Sequence, residues 1–145
     1  MNENDELLTY IYKTSEMGFY STRSLLNSLK NRENKIKDLL ECELKVYEDF
    51  YNKSKKILEK HHEELKGTGL LVKMTSDIGI MMETMKDNSD SSIAQMLSEG
   101  FMMGINEMNS KISKYKNSCD KKTLKLAKLL LKFQEEEIIN LKTFI

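Results

Sequence analysis

Not one residue of this 145-residue chain is proline. Proline inside a helix removes a backbone hydrogen bond and clashes with the preceding turn. Its absence leaves helices free to run long. Glycine is nearly as sparse, confined to Gly18, a Gly67/Gly69 pair, Gly79 and a Gly100/Gly104 pair. Leu, Lys, Glu and Met, all good helix formers, fill much of the rest. The chain therefore reads as all-α, and its length suits one domain over residues 1–145.

Apolar spacing divides the chain into four long helices and a shorter one. The first is expected over about 5–30, with Leu8, Ile11, Ser15, Gly18, Thr22, Leu25 and Leu29 on the alternating three-four spacing of a bundle seam. The second, about 34–65, turns Ile36, Leu40, Glu43, Tyr47, Phe50, Ser54, Ile57 and His61 inward. A short helix over about 71–86 carries Met74, Ile78, Met81 and Met85 on one stripe. The third long helix, about 92–116, faces inward with Ile93, Leu97, Gly104, Met108, Ile112 and Tyr115. The fourth, about 121–144, does so with Ala127, Leu130, Gln134, Glu137, Leu141 and Phe144. Short turns at Asn31–Asn34 and Asn117–Asp120 make each flanking pair an antiparallel hairpin. Between the hairpins, a 16-residue helix covers ~24 Å. That is long enough to carry the chain to the other end of the bundle, giving an up-down-down-up order with a crossover helix.

Charge is balanced, with 23 basic and 23 acidic residues and no basic face, which argues against nucleic acid as a partner. Residues 1–30 lack the continuous apolar stretch of a signal peptide. No apolar run approaches the ~20 residues that span a bilayer, so no membrane partner is expected. Cys42 and Cys119 form no CxxC and read as free thiols in a reducing cytoplasm. Cys42 lies between Glu41 and Glu43, with no positive field to make it a nucleophile.

The polar residues on the seam raise the functional question. A carboxylate on a buried stripe must be paired, protonated or bound to a cation. Glu43 and Glu137 are the two firm cases, and a level count allows them to meet, with Gln134, Tyr47 and Ser15 as further members of a buried polar core. The helix-interior glycines Gly18, Gly100 and Gly104 imply tight packing or a bulky neighbour, with a small-ligand cavity as the alternative. Eight of the ten methionines fall between Met74 and Met108. They suit core packing or, at Met81, Met82 and Met85, a surface for a second copy or another protein. Glu59-x-x-His62 sits in the last turns of its helix, far from the bundle centre.

The helix lengths, crossover and polar seam centres resemble the ferritin-like superfamily. A nearer likeness, to small uncharacterised ferritin-like proteins of spore-forming bacteria, lies in Glu16-Met17-Gly18-x-Tyr20, Ile93-Ala94-x-Met96-Leu97-x-x-Gly100 and the Leu141-Lys142-x-Phe144 end. The resemblance implies iron or manganese held by a Glu from two helices and Glu-x-x-His from the other two. Here the matching spacings are Glu43-x-x-Val46 and Gln134-x-x-Glu137. Only Glu16 and Glu107, swinging inward, are left to complete the set. The expectation is therefore a non-catalytic structural or interaction module with a degenerate metal site. A carboxylate-bridged metal protein and a small-ligand binder are the alternatives.

Overall fold

The computed structural model describes residues 2–61 and 87–145. The expected crossover helix, with Met81, Met82 and Met85, and also His62 lie outside the described residues. Among those described there are four helices and no strand: α1 (Glu3–Ser28), α2 (Lys37–His61), α3 (Asp90–Tyr115) and α4 (Lys121–Lys142). At ~1.5 Å per residue they are about 33–39 Å long. None is long and apolar enough to cross a membrane.

Side-chain caps set three of the starts. Asn2 accepts from the Asp5 N–H at 2.8 Å, Ser89 from Ser92 at 3.2 Å and Asp120 from Thr123 at 2.8 Å. Each satisfies one of the amides a helix leaves unpaired at its first turn. Two starts therefore come slightly earlier than the apolar spacing suggests, because Asn2 and Ser89 lie outside that spacing.

The start of α2 is held differently. The Asp90 carboxylate, at the first residue of α3, accepts from the backbone N–H of Lys35 at 3.0 Å and of Ile36 at 3.3 Å. It also accepts from the Asn34 amide at 3.0 Å. A side chain of the second hairpin thus caps a helix of the first. Asp90→Ala should cost about 1–2 kcal/mol in urea unfolding, the worth of a cap. Asp90→Asn, with one oxygen left, should cost less. An unchanged stability in Asp90→Ala would show that the carboxylate is not the cap.

The two hairpins, α1–α2 and α3–α4, pack against each other through α1 with α3 and α4 and through α2 with α4. Polar contacts fix the direction of that packing. Asn4 accepts from the Asp120 N–H at 2.9 Å, Tyr115 donates to Glu6 at 2.7 Å and Tyr10 donates to Glu107 at 3.0 Å. The start of α1 therefore lies against the end of α3, and the two run antiparallel. His61, at the end of α2, meets Asp5 at 2.8 Å at the same end of the bundle.

The core follows the seam through most of its length, but His61, expected inward, is exposed at the end of α2, and Leu58 is buried where Ile57 is only half-buried. Leu8, Ile11, Leu25, Leu29, Ile36, Leu40, Ile93, Met108, Leu130 and Leu141 are all buried. An aromatic layer lies beside them. Phe133 meets Tyr47 and Phe101 edge-on, at centroid distances of 5.2 and 5.9 Å. Such pairs add to the burial of the rings themselves.

Candidate functional site

Near the start of α2 and the end of α4, the seam turns from apolar to polar. Glu43 on α2 and Glu137 on α4 are 1% and 6% exposed. Their carboxyls lie within hydrogen-bonding reach of each other. Two carboxylates are both acceptors, so this contact requires a proton on one of them. Burial, followed by the contact with Glu137, pushes Glu43 far above the ordinary carboxylate range. Glu137 also accepts from the Asn140 amide at 3.0 Å. Apart from the carboxyl–carboxyl contact, Glu43 Oε1 and Glu137 Oε2 have no partner among the described residues, and neither does Gln134 Oε1.

Above this pair lies a cavity of about 310 Å³ between α1 and α3. That is at the lower end of the roughly 300–1,000 Å³ of small-molecule sites. Met17, Leu25, Met96, Leu97 and Phe101 make most of the wall, with Thr14, Ser21 and Thr22 adding hydroxyls. Glu43 and Tyr47 reach it from α2 and Gln134 reaches it from α4. Burial and the neighbouring carboxyls hold the Tyr47 hydroxyl protonated, well above its usual range.

The helix-interior glycines play three different parts here. At Gly18 the Tyr47 ring occupies the space a side chain would need. At Gly104 the Gln134 amide nitrogen lies 2.7 Å from where a Cβ would be. These two are close approaches, as the sequence implied. Gly100 is not: among the described residues no atom lies within 4 Å of its missing Cβ. It lines the cavity and is exposed. The expected tight helix contact at Gly100 is replaced by open space.

The other anticipated residues are distributed more widely. Ser15 is buried, but its hydroxyl donates back to the Ile11 carbonyl at 2.7 Å. Glu16 is buried and bonds the Tyr12 hydroxyl, whose ring lies 5.2 Å from that of Tyr51. Burial, then Glu16 and Tyr51, raise the Tyr12 hydroxyl well above its usual range. Glu107 is exposed and holds Tyr10. Cys42 and Cys119 are free, and burial pushes the Cys119 thiol up.

Among the described residues, no three His, Cys, Asp or Glu side chains gather into a group able to hold a metal ion. Iron or manganese in a carboxylate site takes several fixed oxygens and usually nitrogen as well. Among the described residues Glu43 and Glu137 supply two carboxyls side by side, while Glu16 bonds Tyr12 and Glu107 bonds Tyr10.

Sequence reasoning missed the α1 wall of the cavity. Its signal was present in the small residues Thr14, Gly18, Ser21 and Thr22 along one flank of α1. Comparison with protein-family models, curated proteins and solved structures finds no match. Sequence and geometry together define a class: four long helices, among the described residues, with a carboxyl pair beside a mainly apolar cavity.

Proposed function

We propose that this protein is a non-catalytic, ferritin-like binding module whose core cavity takes a small, mainly apolar molecule. The observation that carries the reading is the cavity itself, walled mostly by apolar side chains, with Glu43, Tyr47 and Gln134 as the polar groups that reach it from the other two helices. A well-formed apolar pocket with a few convergent polar groups is the usual form of a ligand site.

The ferritin-like, up-down-down-up arrangement is supported by the ends of the helices. Asp90 at the start of α3 bonds the start of α2, and the end of α3 lies against the start of α1. In this reading the polar layer of a metal-binding bundle is kept as one carboxyl pair, and the remaining volume receives a ligand.

The neutral dye N-phenyl-1-naphthylamine, which brightens in apolar surroundings, tests the proposal. Its fluorescence should rise on mixing with the protein. Gly100→Phe, which places a ring in the open space, should abolish the rise while leaving the circular dichroism spectrum and melting temperature near those of the parent. An undiminished rise with Gly100→Phe would sink the proposal.

A further inference from the structure

We infer that the outer face of α4 is a docking surface for a second copy of this chain, whose own α4 lies along it in the opposite direction. The inference is independent of the cavity, since none of the residues involved lines it. Towards the core, α4 turns Thr123, Ala127, Leu130, Gln134, Glu137 and Leu141, all buried. A second seam runs along its outside. Lys125, Leu129, Lys132, Glu136, Ile139 and Thr143 are all exposed, and they follow one another in alternating steps of four and three. That spacing keeps one stripe of a helix facing a second helix over several turns. Leu129 and Ile139, 45% and 65% exposed, are the large apolar members of the stripe.

The stripe is complementary to itself when reversed. Leu129 and Ile139 lie equally far on either side of position 134, and so do Lys132 and Glu136. One antiparallel register, centred there, therefore makes both matches at once. Leu129 of each copy meets Ile139 of the other, and Lys132 of each meets Glu136 of the other. Lys125 meets Thr143, a hydroxyl rather than a like charge. A two-fold axis repeats every contact, as in the commonest closed dimers. Within one copy, Lys132 and Glu136 are 4.0 Å apart and 72% and 59% exposed. So exposed a pair is held weakly and can turn to a partner. Beside the stripe, a groove of about 380 Å³ between α2 and α4 widens the surface. Val46 and Phe50 line it from α2, and Leu126, Leu129 and Phe133 from α4. A purely anionic partner would attract Lys125 and Lys132 but be repelled by Glu136. A reversed copy matches both signs.

Analytical ultracentrifugation of the full chain, over a concentration series reaching the submillimolar range, tests the inference. The parent protein should pass from monomer to dimer as concentration rises. Added salt should move that transition to higher concentration, because exposed charge pairs are screened. Lys132→Glu and Glu136→Lys should each raise the dimer dissociation constant at least about tenfold, since each sets like charges opposite one another twice. Mixed in equal amounts, the two variants should dimerise about as well as the parent, because opposite charges then face each other at both contacts. Both positions are exposed, so both variants should keep the parent's circular dichroism spectrum. A parent that stays monomeric throughout the series overturns the inference. So do single variants that dimerise as well as the parent, or a mixture no tighter than its components, since any dimer would then use another surface. Failure here leaves the cavity reading untouched, because the dye reports on different residues.

Discussion

Gly18→Ala should destabilise the protein by about 2–3 kcal/mol, as overpacking of a filled core does. The sign is informative because alanine is the better helix former by about 1 kcal/mol. At Gly18 that gain is outweighed. A methyl group there would overlap the Cδ1, Cε1 and Cζ atoms of the Tyr47 ring. The ring cannot swing away freely, since Phe133 packs edge-on against it at 5.2 Å and Phe101 stacks beside it. Gly100→Ala should do the opposite and stabilise by up to about 1 kcal/mol, because among the described residues its methyl meets nothing within 4 Å. Urea titrations of the two variants, followed by circular dichroism, would give both signs in one experiment. In a Tyr47→Leu background Gly18→Ala should become neutral or stabilising, because the obstructing ring is gone. If Gly18→Ala stabilises the parent protein as Gly100→Ala does, Tyr47 does not occupy that space.

The same three glycines mark where the sequence could be read and where it could not. Seam periodicity located the four helices to within a few residues, because burial on one face is written every three or four positions. It also placed Glu43, Glu137 and Gln134 on inward faces, as the structure has them. What periodicity cannot carry is the distance between two faces. Gly18 and Gly100 look alike in the sequence, yet one is filled by a partner ring and the other faces open space. That difference depends on which side chain of another helix reaches the same level. Asp90 is a second case. It reads as one of several turn and cap residues before α3, but its carboxylate caps α2. Glu16 is a third, since its burial depends on Tyr12 and Tyr51 closing over it.

Glu43→Gln should stabilise the protein at neutral and mildly alkaline pH and flatten its stability against pH. In the fold, Glu43 keeps a proton far above the ordinary carboxylate range, because burial and then Glu137 disfavour its charged form. In the unfolded chain it ionises near its ordinary value, about 4.5. Above that value the folded state binds more protons than the unfolded state, so stability falls as pH rises. The fall continues until Glu43 ionises in the fold as well. Its limit for one proton is about 1.4 kcal/mol per pH unit, or roughly 4 kcal/mol between about pH 5 and pH 8. Below the unfolded value Glu43 is protonated in both states and contributes no slope. Glutamine has nearly the shape of the protonated acid and can donate to Glu137 as that acid does, but it has no proton to lose. The variant should therefore match the parent near pH 4 and exceed it increasingly at higher pH. The two proteins share every other titratable group, so the difference between their curves isolates Glu43. Urea unfolding free energies at a series of pH values supply that difference. Parallel curves would mean that Glu43 is ionised in the fold at neutral pH. The proton that joins the two carboxyls would then be absent.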